Sequence, residues 1–307
     1  MNFKIGRKGF SMTYDCIIIG GGIAGLQAAI QLGRYQHRVL VIDANQGRSV
    51  LCRSFHNLLG WPDGVSGRKL RSIGKNQAEK LGIEFRTGWV VDARSEADEF
   101  LLFCEDGSFF RAKRLLFATG VMDRLPPFPN IIPCLGISVY ICPDCDGYEV
   151  KGQRVIVMGS GDAGANLALA LTYWTKDIFY VNHEQAGISQ KAMEKLKRKN
   201  IHYVPVPIRA VLADGSQFKG GHLVNGGWIQ ANRCFLGFGG NEVRSALAEK
   251  LGVKLHKNKH ILTDPRTKMT NVKHVWAAGD VTVHSEQTAI AMGDGIQAAI
   301  WIHKSLL

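Results

Sequence analysis

The chain has 307 residues, 46% hydrophobic and 21% charged, with a formal net charge of +12. That balance is ordinary for a globular protein with one large core or two modest ones. It holds no run of about 18 apolar residues that would span a membrane, and no zinc-finger spacing or arginine-rich block that would mark a nucleic-acid module.

The first eleven residues, Met1 to Ser11, carry Lys4, Arg7 and Lys8 but lack the ~7–15 apolar residues of a secretory signal. They read as a short arm, or as an effect of start-codon choice, because Met12 directly precedes the first strand. A cytoplasmic location is the default expectation.

From Tyr14 to Asp43 the pattern is strand, glycine turn, helix, strand. Cys16-Ile17-Ile18-Ile19 is the first strand, Ala24 to Arg34 a buried helix, and Arg38 to Asp43 the returning strand. Turn residues gather at Gly60-Trp61-Pro62-Asp63-Gly64, and a helix is expected from about Gly67 to Leu81. Residues Ile83 to Leu116 suggest three or more strands, with a hairpin turn at Asp106-Gly107. The apolar strand Leu115-Leu116-Phe117 ends in Ala118-Thr119-Gly120. Pro126, Pro127, Pro129 and Pro133 mark a linker, since proline removes donors and fixes the backbone.

The pattern then restarts. Arg154 to Glu184 is a second strand–glycine–helix–strand unit, and strand-rich sequence runs on through Phe235. A solvated helix carries Lys195 to Lys199, Phe238-Gly239-Gly240-Asn241 reads as a second linker, and the chain closes with a helix over Thr288 to Leu306. The fold class expected is α/β, with two Rossmann-like dinucleotide-binding domains (three-layer ββα), the second inserted in the first. The boundaries are 1–123 and 241–307 for the outer domain and 124–240 for the inserted one.

Two glycine fingerprints carry the chemistry. In Gly20-Gly21-Gly22-Ile23-Ala24-Gly25 the first glycine permits a tight turn, the second lets backbone approach a pyrophosphate, and the third lets helix and strand pack closely. Phosphates then sit at the helix N-terminus, where free N–H groups and the dipole favour anions. Asp43, at the end of the second strand, is placed to accept hydrogen bonds from a ribose. Gly159-Ser160-Gly161-Asp162-Ala163-Gly164 repeats the pattern after Val155-Ile156-Val157-Met158.

The seven cysteines stand at 16, 52, 104, 134, 142, 145 and 234. An odd, scattered set is not a disulfide framework, and zinc would need a second close pair, so no metal is expected. Cys142-Pro143-Asp144-Cys145 is the redox candidate: two cysteines so spaced at a helix start form and break a disulfide with little backbone motion, and that position lowers a thiol pKa. Asp146 follows directly and could pass a proton to a departing thiolate, or serve only as a helix cap. Cys52 reads as structural.

The fingerprints, Asn57-Leu58-Leu59-Gly60-Trp61-Pro62, Ala118-Thr119-Gly120, Cys142 to Gly147, Gly279-Asp280-Val281 and Gln287-Thr288-Ala289 occur in one order. In that order the chain, from Tyr14 to its end, resembles the low-molecular-weight thioredoxin reductases among the flavoprotein disulfide reductases. The resemblance implies FAD in the first site, held by Gly20, Gly22, Ala24, Gly25, Asp43, Thr119 and Gly120. It puts Asn57 at the flavin, Gly279 and Asp280 at the ribityl or pyrophosphate region, and Gln287, Thr288 and Ala289 near the isoalloxazine edge. It implies that Cys145 faces the flavin and that Cys142 attacks the partner disulfide. It also implies a homodimer and, as partner, a thioredoxin-like protein or a small disulfide.

One departure concerns the electron donor. Relatives that use NADPH end the second unit with a His-Arg-Arg type sequence that forks around the 2′-phosphate. Here the strand reads Ile178-Phe179-Tyr180-Val181-Asn182-His183-Glu184-Gln185, no arginine follows until Arg198, and Glu184 would repel that phosphate. Likewise a Gly-x-x-Pro type turn is replaced by Gly237-Phe238-Gly239-Gly240-Asn241.

NADH could bind with Glu184 on its ribose, or the second domain could be a scaffold without nicotinamide. Reductases of the latter kind take electrons from ferredoxin or have no assigned donor, and a third group oxidises small dithiols and passes electrons to oxygen. A plant-type ferredoxin near about −400 mV and thioredoxin near about −270 mV differ by ~130 mV, or ~6 kcal/mol for two electrons. The reading that combines these signals is an FAD-dependent disulfide oxidoreductase that works without NADPH. An NAD(P)H-dependent reductase, a dithiol oxidase and a flavin-binding scaffold without turnover stand as alternatives.

Overall fold

In the computed structural model residues 13–307 are described, so the basic arm Met1 to Ser11 lies outside the described residues. The described chain divides into two compact units. One comprises the residues up to Gly47, Arg71–Val121 and Val243–Leu307; the other comprises Arg48–Leu70 and Met122–Glu242.

The first unit is built on strand β1 (Tyr14–Ile19), helix α1 (Ile23–Arg34) and strand β2 (Val39–Asp43). Further strands follow: β3 (Glu84–Thr87), β4 (Val90–Glu96), β5 (Glu99–Cys104) and β6 (Phe109–Phe117). The sheet runs β3-β2-β1-β6-β5-β4, with Val275–Ala277 pairing in parallel beside the end of β6. β1 pairs in parallel with both β2 and β6, so Ile17 stands between Leu40 and Leu115. Strands buried on both faces read as apolar runs, and Cys16, Ile17 and Ile18 are fully enclosed. β5 and β6 form the expected hairpin through Asp106-Gly107, with Gly107 at φ +81°.

One face of this sheet is covered by α1 and by the last helix, Thr288–Leu306. Their contact is made by small side chains: Ala24, Ala28 and Ala29 share a buried cluster with Ala291, Ala298 and Ala299. A Cβ at Gly295 would strike the Ala24 carbonyl, so glycine is what lets the two helices approach.

The second unit repeats the plan with β7 (Val155–Gly159), α2 (Gly161–Leu171), β8 (Ile178–Asn182), β9 (His202–Val204) and β10 (Arg233–Gly237). Its parallel sheet runs β9-β8-β7-β10 and ends on Val139–Tyr140. A three-stranded antiparallel sheet, Ile208–Asp214, Gln217–Leu223 and Trp228–Gln230, packs on it through Phe218 and Ile208.

Two local expectations change. The proline cluster is not a bare connector: Pro129–Cys134 winds into a 3-10 helix with Ile131 and Cys134 buried in the second unit's core. Proline at the first helical position needs no N–H there, which is why the cluster starts a helix instead of preventing one. The helix expected from Gly67 to Leu81 ends at Glu79, and Gly82 at φ +80° turns the chain into β3.

Candidate functional site

At the first fingerprint, Gly20 has φ +106°, a backbone that L side chains rarely adopt. A Cβ at Gly25 would run into the Gly20 carbonyl, so the third glycine is required by packing of the turn on its own helix. Gly22 differs: a Cβ there would meet no protein atom within 4 Å. No side chain caps α1, and no acid stands in its first turn. Its leading N–H groups therefore face a space the protein leaves open, which suits a pyrophosphate.

Asp43 closes β2. Arg71 Nη2 donates to its Oδ2 at 2.6 Å, while Arg71 Nη1 donates to the Gly21 carbonyl at 2.8 Å. Arg71 was missed by sequence reasoning because it lies 28 residues beyond Asp43 on a helix with no motif of its own. The turn after β6 is tied down as well: Thr119 Oγ1 donates to the Arg244 carbonyl at 2.5 Å, and the Arg244 N–H donates to the Gly120 carbonyl at 3.0 Å.

Gly279, at φ +79°, brings the Gly279-Asp280 turn onto α1, since a Cβ there would lie 2.8 Å from the Ala24 Cβ. The turn is held from beneath by Asp294 of the last helix. Its carboxylate accepts from the Gly279 N–H at 3.2 Å, Thr282 Oγ1 at 3.3 Å, His284 Nε2 at 2.6 Å and Lys268 Nζ at 2.7 Å. Burial opposes charge on Asp294, but the His284 and Lys268 bonds hold its carboxyl below the usual range, and the same bond to Asp294 raises His284. Gln287 stands at the N-cap of the last helix without a side-chain cap bond, followed by Thr288 and the exposed Ala289.

The dithiol lies in the second unit. Cys142 and Cys145 are disulfide-bonded with their Cα atoms 5.3 Å apart. Cys142 is the N-cap of the single helical turn Pro143–Asp146, which continues into the 3-10 turn Gly147–Val150. Gly147 is dictated by packing, as a Cβ there would sit 2.6 Å from the Trp174 ring. Asp146 stands at the N-cap position of that 3-10 turn and makes no side-chain cap bond. Burial, aided by the Glu149 charge, pushes its pKa up to about 7.

Cys52 belongs to the same unit, in Arg48–Leu70, together with the exposed Asn57. Its thiol hydrogen-bonds the Ser54 carbonyl at 3.2 Å, and burial, then the Asp146 charge, pushes it up to about 12. A protonated, half-buried thiol is inert in exchange. Cys16, Cys104, Cys134 and Cys234 are buried.

At the second fingerprint the glycines have packing roles, Gly164 lying against the Tyr180 ring and Gly159 against Gly237. The polar groups are committed within the protein. The Gly161 N–H donates to Asn182 Oδ1 at 3.0 Å, and Asp162 Oδ1 accepts the Ser189 N–H at 2.8 Å. His183 Nδ1 accepts the Ile208 N–H at 3.0 Å, with the ring edge-on to Phe128 and Phe238. Burial lowers the His183 pKa despite neighbouring Glu184, so it offers no cation to a phosphate. The Glu184 carboxylate is forked by Arg124; the nearby Ser160 hydroxyl, then this fork, hold its pKa below the usual range. Among the described residues no group of three or more His, Cys, Asp and Glu side chains could hold a metal. No described helix is long and apolar enough to cross a membrane.

A family profile described as pyridine nucleotide-disulphide oxidoreductase matches residues 14–295. The chain belongs to that family. Among curated relatives it is 30% identical to the thioredoxin reductase of Aquifex aeolicus (strain VF5), over 96% of this chain and 94% of the relative. Among solved structures it is similar to HlmI, at 26% identity and TM-score 0.86, covering 97% of this chain and 95% of that one. It is also similar to the oxidoreductase from Agrobacterium tumefaciens, at 29% identity and TM-score 0.79, covering 96% and 99%.

This pyridine nucleotide-disulphide oxidoreductase is a thioredoxin-reductase-like flavoprotein with FAD as cofactor and a Cys-x-x-Cys disulfide. The first fingerprint fits that cofactor: the opening at Gly22, the uncapped α1 and the Asp43 carboxylate supply space, donors and an acceptor in the order a dinucleotide needs.

Proposed function

We propose that the protein passes two electrons from FAD through the Cys142–Cys145 disulfide to a protein disulfide such as that of thioredoxin, with a donor other than NADPH. The observation that carries the donor assignment is the Glu184 carboxylate after β8, forked by Arg124. A 2′-phosphate would meet a carboxylate that already fills the local guanidinium, instead of a free arginine fork.

FAD, when bound, supplies the two-electron chemistry that opens the disulfide. Gly20, Gly22, Ala24 and Gly25 seat its pyrophosphate and Asp43 its ribose. Thr119, Gly120, Gly279 and Asp280 line the same unit, Gln287, Thr288 and Ala289 present the head of the last helix, and Asn57 contributes from the segment Arg48–Leu70. The boundaries 1–123, 124–240 and 241–307 remain our assignment of the FAD-binding and inserted NAD(P)-binding-like domains.

With both sulfurs reduced, the Cys142 thiolate attacks one sulfur of the partner disulfide. That makes a mixed disulfide and releases the partner's first thiolate. The Cys145 thiolate then attacks Cys142 Sγ, which restores the Cys142–Cys145 bond and releases the second thiolate. Two electrons leave and two protons are needed. Asp146, with a pKa of about 7, is poised to deliver one of them to a departing thiolate. We assign reduced ferredoxin as the donor, on the basis of the ~130 mV fall and of a basic chain meeting an acidic protein, and a homodimer as the working form.

The test is anaerobic spectroscopy of the purified flavoprotein with NADPH, NADH and reduced ferredoxin in turn. Bleaching by ferredoxin alone is expected. Rapid bleaching by micromolar NADPH overturns the donor assignment, and bleaching by NADH assigns Glu184 to the unphosphorylated adenosine ribose. Peroxide formed from small dithiols in air would reverse the direction of electron flow.

A further inference from the structure

A nucleotide phosphate at the second fingerprint would need three things: donors at the head of α2, open space there, and a cation. The chain uses the first and the third internally. The Gly161 N–H is taken by Asn182. The cation is Arg124, which sequence reasoning passed over because it lies outside both fingerprints.

Arg124 is held from every side. Nη1 and Nη2 donate to Oε1 and Oε2 of Glu184 at 3.0 and 2.9 Å. Nε donates to the Gly239 carbonyl at 3.0 Å and Nη2 to that of Phe238 at 2.8 Å. The guanidinium lies 5.6 Å from the Phe238 ring centroid. Its backbone N–H donates to Asn241 Oδ1 at 3.2 Å, Asn241 Nδ2 donates to Asp123 Oδ1 at 3.0 Å, and Asp123 is forked by Arg48. The position of Arg124 is therefore fixed independently of Glu184. Beside it opens a cleft of about 220 Å³ lined by Arg124, Ala163, Leu167, Leu236, Phe238 and Gly239.

We propose that Glu184 is a built-in competitor for nucleotide phosphate: its carboxylate fills the fork of Arg124, so the anion site of the second fingerprint is occupied by the chain itself. This deepens the donor assignment above and rests on it. The pairing is the planar, two-point fit that a guanidinium also offers a phosphate. A tethered carboxylate holds that fit at a high effective concentration, and while it is seated the pair offers no net positive charge to an incoming anion. The pair is half-exposed, and exposed pairs add little to stability, so removing it leaves the fold intact.

The experiment is equilibrium binding of NADPH and NADH to the FAD-loaded full chain, read calorimetrically, for wild type, Glu184→Ala, Glu184→Gln and Glu184→Ala/Arg124→Ala. Glu184→Ala is expected to bind NADPH at least tenfold more tightly than wild type. Glu184→Gln, which removes only the charge, follows it, and the double variant loses the gain. Retained flavin absorbance and melting temperature certify the fold of each variant. Equal affinity in wild type and both Glu184 variants overturns the proposal, as does a double variant as tight as Glu184→Ala. The variant-to-wild-type ratio decides this whatever the wild-type affinity is, whereas wild-type flavin bleached by micromolar NADPH counts against the donor assignment.

Discussion

Arg71 joins the two ends of the first fingerprint, donating from Nη2 to Asp43 at 2.6 Å and from Nη1 to the Gly21 carbonyl at 2.8 Å. It fixes the carboxylate that follows β2 against the glycine turn that follows β1. If Asp43 holds the ribose, Arg71→Ala weakens FAD binding by about 10- to 100-fold, as loss of a charge-assisted bond implies. Flavin fluorescence on dilution of the holoprotein measures it, and an unchanged dissociation constant would remove Asp43 and Arg71 from the site.

Gly22 and Gly25 separate two reasons for glycine. A Cβ at Gly22 meets no protein atom, and its φ of −73° suits any residue. Gly22→Ala should leave the melting temperature of the flavin-free protein within about 1 °C, a surface-like change of a few tenths of a kcal/mol. It should nonetheless weaken FAD at least tenfold by filling the space left for phosphate. Gly25→Ala, which collides with the Gly20 carbonyl, should destabilise the protein itself by about 1–3 kcal/mol. Equal behaviour of the two variants would refute the distinction.

Asp146 gives a pH signature. Its pKa is raised from the ordinary carboxyl range to about 7, so the folded state binds a proton that the unfolded state has released between about pH 4 and 7. Stability from this group is complete below pH 4, declines as pH rises to 7, and is flat above. Asp146→Asn should therefore gain stability relative to wild type across that window, by about 2–4 kcal/mol at pH 8. The same variant should slow disulfide reduction by about 100-fold and lose the titration near pH 7 from its rate profile. Denaturant melts and turnover from pH 5 to 9 check both halves; a wild-type rate without an inflection near 7 would exclude Asp146 as the proton donor.

The pair His284–Asp294 has the same sign at higher pH. The His284 pKa is raised, so its bond contributes fully below about pH 6.5, the ordinary histidine value, and is lost as pH rises through the raised value. Asp294→Asn leaves Lys268 without its buried partner, and breaking such a pair costs about 3–5 kcal/mol. Urea titrations at pH 5.5 and 8.5 should show a larger loss at the lower pH. A loss independent of pH would detach His284 from the Gly279 turn.

Much of this was legible from the residues. The last helix begins and ends at Thr288 and Leu306 as its apolar spacing indicates, and Asp106-Gly107 turns the β5–β6 hairpin because glycine there reaches φ +81°. The short helix at Pro129 was not legible: four prolines signal a break in hydrogen bonding, and nothing local says that Ile131 and Cys134 will find a core. Arg71 and Arg124 escaped for a related reason. Each acts on a partner 28 or 60 residues away, and pairing across such separations is set by strand order, which periodicity does not encode. The chemistry of Asp146 was readable as a residue type beside a dithiol, but its protonation state follows from burial, which only the fold supplies.

On the proposed electron path a flavin and the Cys142–Cys145 disulfide form one electron store. Anaerobic reductive titration with dithionite counts its capacity. Wild type should take up four electrons per FAD, two for the flavin and two for the disulfide, and Cys142→Ser or Cys145→Ser should take up two. A wild-type protein that saturates at two, or a purified chain that binds no flavin, would rule that path out.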